Sequence, residues 1–198
     1  AKSPLMTTAY RHVMKEDGVT RADAVDMGSG HLNVGGKAHK GSAFQPGLVY
    51  DAGYYDYLGF LCDAAPEVFA DPDGASADLE SMGIPTEAYN LNYPSIAITD
   101  LPGRVTVSRT VTSVTTEAGW RRYRVSVNAP DGYRVRVKPS TLWLKRGRSA
   151  TYKVTITKVS APIGEWRFGS LTWRNVNRLY KVRSPIAVKA ALFSAPAG

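Results

Sequence analysis

After Pro94 the chain is built from short runs in which Val, Ile, Thr and Tyr alternate with polar residues: VTVSRTV (105–111), RYRVSV (122–127), YRVRVK (133–138) and TYKVTIT (151–157). A period of two sends successive side chains to opposite faces of an extended strand, so each run has one face for a core and one for water. TLWLK (141–145), FGSLTW (168–173) and YKVRSPIAV (180–188) bring the predicted strands to seven. Turn signals separate them at Pro130-Asp131-Gly132, Lys145-Arg146-Gly147 and Ala161-Pro162-Ile163-Gly164.

Seven short strands within residues 96–198 predict an all-β sandwich of the immunoglobulin or fibronectin-III kind. With no cysteine pair in that stretch, the fibronectin-III form is the expectation. Residues 1–95 have a different texture. Leu5, Met6, Ala9 and Val13 stand at helical spacing before Asp17-Gly18, predicting a short helix over 1–16 with Pro4 in its first turn. Gly18 to Gly47 is loop-dominated. Tyr54, Tyr57, Leu58, Leu61 and Cys62 predict a buried helix over about 54–61, and a weaker one covers Ala75 to Met82.

Charge changes at the same place. Residues 1–95 hold 6 of the 25 Lys and Arg and 13 of the 17 Asp and Glu, a net −7, leaving +15 for residues 96–198. A shift of this size at one point in the chain marks a domain boundary near residue 95. No apolar run is long enough to span a bilayer. The single cysteine, Cys62, excludes an internal disulfide and is either a buried apolar thiol or the partner of a cysteine outside this segment.

Few constellations have the spacing that chemistry requires. Asp26-Met27-Gly28-Ser29-Gly30-His31 brings an acid, a serine and a histidine together, but it is not the G-x-S-x-G of a nucleophile elbow, and triad members converge from distant segments. It reads as a glycine turn. His12, His31 and His39 lack metal-ligand spacing, and Gly35-Gly36-Lys37 lacks the frame of a phosphate loop. No catalytic, cofactor-binding or metal-binding residue is assigned, and no cofactor is expected. Arg122 and Arg124, and likewise Arg134, Arg136 and Lys138, alternate with apolar residues and so occupy single strand faces. They read first as solvated faces and second as a polyanion or cell-surface contact, and nucleic acid is not expected as a partner. Trp120, Trp143, Trp166 and Trp173 are expected in the sandwich core.

Several blocks together resemble the subtilisin-like serine peptidases, in particular the plant cucumisin-like branch and its bacterial relatives. Lys2-Ser3-Pro4-Leu5-Met6-Thr7-Thr8-Ala9 resembles the helix that follows the one carrying the family's catalytic serine, and Gly28-Ser29-Gly30-His31-Leu32-Asn33 resembles its G-[AS]-G-H turn. Pro46-Gly47-Leu48-Val49-Tyr50-Asp51, with Asp56-Tyr57 and Phe60-Leu61-Cys62, continues the likeness. Asn90-Leu91-Asn92-Tyr93-Pro94-Ser95 resembles the motif leading into the family's fibronectin-III-like domain. Arg109-Thr110-Val111-Thr112, Val137 to Leu142, Phe168 to Trp173 and Arg183 to Val188 follow in register. The Gly-rich stretch Leu32 to Ser42 is longer than the plant form, which favours a bacterial relative.

The resemblance implies an α/β catalytic-domain remnant, the C-terminal piece of a subtilisin-like domain, over residues 1–90, followed by an all-β fibronectin-III-like sandwich over 91–198. It implies a secreted serine endopeptidase as the parent. The family's G-T-S-x-x-x-P-H nucleophile motif does not occur in these 198 residues, so the chain alone is expected to be inactive. The implied partners are the N-terminal remainder of the peptidase domain, the parent's peptide substrate, and a second copy through the sandwich. The rival expectation is a non-catalytic extracellular binding or adhesion module.

Overall fold

A computed structural model describes residues 2–35, 39–177 and 179–192. The strands predicted by alternation all form: β3 (Arg104–Ser113), β4 (Arg121–Asn128), β5 (Tyr133–Lys138), β6 (Thr141–Leu144), β7 (Ser149–Lys158), β8 (Trp166–Asn175) and β9 (Lys181–Ala190). Two more precede them, β1 (Leu48–Val49) and β2 (Ile96–Leu101). One sheet has the order β1-β3-β7-β5 and the other β2-β9-β8-β4-β6. Every pairing is antiparallel except that of β2 with β9, where Ile96 stands beside Ile186 and Ile98 beside Val188.

The two sheets face each other across one core. Val107, Val111, Tyr152, Val154 and Ile156 on the first sheet meet Tyr123, Leu171, Trp173, Val182, Ile186 and Val188 on the second, all but sealed from solvent. Alternation along each strand supplies this face, and removing so much apolar surface from water is the main favourable contribution to the fold. Tyr152 meets Trp173 edge to face across the gap, with ring centroids 5.1 Å apart.

Of the four tryptophans, only Trp173 is in the core. Trp120, Trp143 and Trp166 are exposed, contrary to expectation. The register explains two of them. Trp143 pairs with Arg122 on the outward side of β6, the edge strand, and Trp120 precedes β4 on the same side. Each exposed ring carries a cation instead: Arg122 over Trp143 at 5.7 Å, Lys145 over Trp120 at 5.5 Å and Lys189 over Trp166 at 5.5 Å.

Before residue 95 the structure is mostly loop and turn, with short helices, and is thinly packed. Helix α1 spans Lys2–Thr7 and stops there, rather than running to residue 16. The hydroxyls of Thr7 and Thr8 donate back to the carbonyls of Ser3 and Pro4, and the chain then leaves the helix. Tyr10 bridges His31 and Met14 bridges Arg21. Asp17-Gly18 thus closes a hairpin instead of ending a helix: the Asp17 carboxylate accepts from the amides of Val19 and Thr20 at 2.9 and 2.8 Å.

Helix α2 (Ala24–Met27) begins with a capping box in which Asp23 and Asp26 satisfy each other's amides. Helix α3 (Tyr54–Ala64) forms where expected, as does α4 (Pro72–Ser81), which starts three residues earlier than predicted. The face of α3 is not buried as expected. Tyr54, Tyr55 and Tyr57 are exposed, and Gly59 is the buried residue, packed so closely on the Pro85 carbonyl that a Cβ would sit 2.3 Å from it. Cys62 is a half-buried free thiol.

Candidate functional site

Residues from five of the blocks that carry the family resemblance, Ser3, Tyr50, Asn90 with Asn92, Arg109 and Ser184, meet at one junction, where the segment before residue 95 joins the sandwich. The link is built on β3. Asn90 and Asn92 lie beside it and act as a surrogate strand: Asn90 Oδ1 accepts from the Ser108 amide, and Asn92 Oδ1 accepts from the Thr110 amide at 2.9 Å. The Asn92 amide group then donates to the carbonyls of Asp51 and Thr110. Side chains here satisfy backbone groups that no neighbouring strand reaches.

Arg109 is the most unusual residue of the junction, an inward-facing cation on a core strand with 3% of its surface exposed. No carboxylate among the described residues forms a salt bridge with it. Its guanidinium donates to four carbonyls, those of Tyr93 (2.9 Å), Ser108 (2.8 Å), Tyr89 (2.9 Å) and Ser95 (3.2 Å). Desolvation lowers its pKa to about 10, still well above neutrality, so it remains charged. The planar fork of donors collects the loop before β2 and fixes it on β3.

A second set of polar side chains ties the junction to both sheets. The Tyr50 hydroxyl lies 2.7 Å from that of Tyr152 on β7 and 2.8 Å from that of Ser184 on β9. The Tyr50 amide donates to Ser3 Oγ at 2.9 Å, which binds α1 to the same point. Burial pushes both tyrosine pKa values up, so the hydroxyls remain neutral donors and acceptors. Nearby, Glu117 accepts from the Tyr180 hydroxyl at 2.6 Å and pairs with Lys40 and, at 3.8 Å, with Arg121. Against the upward push of burial, Lys40 and Tyr180 hold the Glu117 carboxyl down to about 2.

The residues that evoked chemistry in the sequence do not assemble for it. Asp26 accepts the Asp23 amide and pairs with Lys15 at 3.0 Å, so it is not directed at His31. His31 exchanges backbone hydrogen bonds with Tyr10. No hydrogen bond joins Ser29 to His31 among the described residues, and none of those residues form a cluster of three or more metal-ligating side chains. The two basic stripes lie on different sheets, Arg122 and Arg124 on β4 and Arg134, Arg136 and Lys138 on β5, so they are not one surface.

Sequence reasoning missed Arg109 as an individual residue, although a signal was there: it stands in phase with Val107 and Val111, on the inward face of the alternating run. It also missed Tyr50, Tyr152 and Ser184, which are brought together from positions 102 and 134 residues apart.

The model of the fibronectin type-III domain family matches residues 90–188, half of the chain. Among curated proteins, subtilisin-like serine-protease S of Lotus japonicus is 35% identical over 93% of this chain and 23% of its own length. The CO(2)-response secreted protease of Arabidopsis thaliana is 37% identical over 96% of this chain and 25% of its own, and subtilisin-like protease SBT5.3 of the same plant is 35% identical over 95% and 24%. The chain thus spans about a quarter of the length of these relatives. From sheet architecture and family match together, this chain belongs over residues 90–188 to the fibronectin type-III domain family, and nearly its whole length is similar to subtilisin-like proteases.

Proposed function

We propose that this chain is the C-terminal part of a secreted subtilisin-like serine endopeptidase, in which residues 1–90 complete the catalytic domain and residues 91–198 brace it. The observation that carries this reading is the continuity of the similarity: it covers both halves of the chain, 93 to 96% of its length. The packing supports it. Among the described residues before the sandwich, Leu48, Tyr50 and Leu79 are the large apolar side chains that are buried, and the first two belong to the sandwich core. Leu5, Tyr10, Met14, Phe44, Tyr54 and Tyr55 are exposed, a density of uncovered apolar side chains that suits a surface made to be covered.

In this reading the intact parent cleaves peptide bonds by the Ser-His-Asp acyl-enzyme route, with all three residues supplied by the remainder of its catalytic domain. The partners are that remainder, the parent's peptide substrate, and a second copy bound through the sandwich. Secretion accords with the similarity to the CO(2)-response secreted protease, and no helix among the described residues is long and apolar enough to cross a membrane. The 198-residue chain alone is expected to leave a peptide substrate uncleaved and to take no label from a serine-reactive fluorophosphonate. Labelling of any of its serines overturns the reading.

Trp120 and Trp143, exposed on one side of the β4–β6 edge, favour a second reading, a non-catalytic extracellular binding module with an aromatic platform. Under it the chain is retained on immobilised polysaccharide at low salt, and Trp143→Ala abolishes retention. Flow-through of the wild-type chain rejects it.

A further inference from the structure

The outward face of the five-stranded sheet carries a cavity of about 350 Å³ into which four cations converge: Arg11, Arg174, Lys181 and Arg183. The register builds it. Arg124, Arg174 and Lys181 stand side by side in one row across β4, β8 and β9, and Ser126, Thr172 and Arg183 form the next. Alternation sends the row between them, Val125, Trp173 and Val182, into the core. Arg11 arrives from outside the sandwich, on the hairpin that follows α1. The site therefore requires both halves of the chain.

Nothing in the described structure neutralises this charge. The salt bridges there use Lys15, Lys40, Arg121 and Arg167, and none of the four cavity cations. Residues 96–198 contain only four carboxylates, Asp100, Glu117, Asp131 and Glu165, and none of them lines the cavity. Arg183 Nε is buried without a hydrogen-bond partner. The arrangement is electrostatically costly as it stands: desolvation, then Arg11, lowers the Arg183 pKa to about 10, and desolvation followed by Arg174, Arg11 and Arg183 lowers that of Lys181. The cavity wall also offers hydroxyls, with Ser170 and Thr172 buried although they lie on the outer side of β8.

We propose that this cavity binds a compact tetrahedral oxyanion, a phosphate or sulfate group. Guanidinium forks suit such oxygens, the ammonium adds a point charge, and the hydroxyls donate to the oxygens left over. The cavity has room beyond the anion for the group that carries it, so the source is either the free ion or an ester on a sugar.

The test is calorimetric titration of the full 198-residue chain at low ionic strength in a non-coordinating buffer, with inorganic phosphate, a sugar monosulfate and sodium chloride as separate titrants. One saturable site for phosphate or for the monosulfate, absent for chloride, is expected. Arg183→Gln and Lys181→Gln each weaken it roughly tenfold, the worth of one charge-assisted hydrogen bond, while Arg134→Gln on the other sheet leaves it unchanged. Tighter binding of the monosulfate identifies a sugar ester as the source, and tighter binding of phosphate the free ion. In oxyanion-free buffer Arg183→Gln melts at a higher temperature than the wild type, because it removes an unpaired cation, and it loses the rise in melting temperature that phosphate gives the wild type. No saturable binding, or binding unchanged in both variants, overturns the proposal.

Discussion

The hydroxyls of Tyr50 and Tyr152 lie 2.7 Å apart inside the protein, joining the segment before α3 to an interior strand of the sandwich. Tyr50 also reaches Ser184 on the opposite sheet, so a single phenol holds three parts of the chain. Tyr50→Phe keeps the ring and leaves two buried hydroxyls short of a partner. The expected loss is about 1–3 kcal/mol in urea unfolding. Replacing all three polar groups together, with Tyr152→Phe and Ser184→Ala added, costs less than the sum of the single changes, since no orphan then remains.

Arg109→Met has a larger effect. It removes the donors from the four carbonyls that Arg109 satisfies and leaves them facing a dry space. A loss of about 3–5 kcal/mol is expected, because each buried carbonyl left without a donor costs about 1–3 kcal/mol. Proteolysis supplies a second readout: the loop over 89–95 is cut early in the variant and late in the wild type. Equal cutting rates contradict the role assigned to the guanidinium.

Glu117 sets an acid limit on stability. Its carboxyl titrates at about 2 in the folded chain against an ordinary 4.5. Because the folded value is the lower one, the stabilisation is complete above 4.5 and is lost as the pH falls from there toward 2. Glu117→Gln therefore melts below the wild type at neutral pH, and the two melting curves converge near the acid end. Tyr180 behaves in the opposite sense: burial, then its bond to Glu117, raises its pKa from 10 to about 12, so its contribution is present below 10 and lost through that interval.

Gly47→Ala tests the entry into β1. Gly47 has φ +84°, and an added Cβ would lie 2.6 Å from the Tyr180 ring. Backbone strain alone costs of order 1–3 kcal/mol, and the ring has to move as well. The variant is expected to lose stability and to show a changed tyrosine near-ultraviolet signal. Gly119→Ala is its control, since φ there is also positive at +88° but nothing lies within 4 Å.

What could be read from the sequence followed a simple physical division. Strands β3 to β9 were legible because one core face and one solvent face impose a period of two. β1 is two residues long and has no period to detect. β2, with the run Ile96 to Leu101, was missed because its last two residues break from alternation, and its parallel partner lies far along the chain. Helical spacing failed at 8–16, where Tyr10 and Met14 find extended partners that no local pattern announces. Three of the four tryptophans, Trp120, Trp143 and Trp166, were misplaced for a related reason: a large aromatic ring in or beside a strand does not say which face is inside. The basic cavity depends on the registers of three strands and on a hairpin from the other half, none of which a linear reading contains.

The placement of β9 has a consequence for how the molecule is made. This late strand is an interior member of its sheet, with β2 on one side and β8 on the other, and Ile96 pairs with Ile186, ninety residues further on. Until β9 emerges from the ribosome, the five-stranded sheet lacks an interior member and Ser184 is unavailable to Tyr50. Contacts so distant in sequence make for slow closure. Assembly of the junction is thereby coupled to completion of the sandwich: a chain interrupted before Lys181 can form β3 with β7 but cannot anchor what precedes them through Ser184.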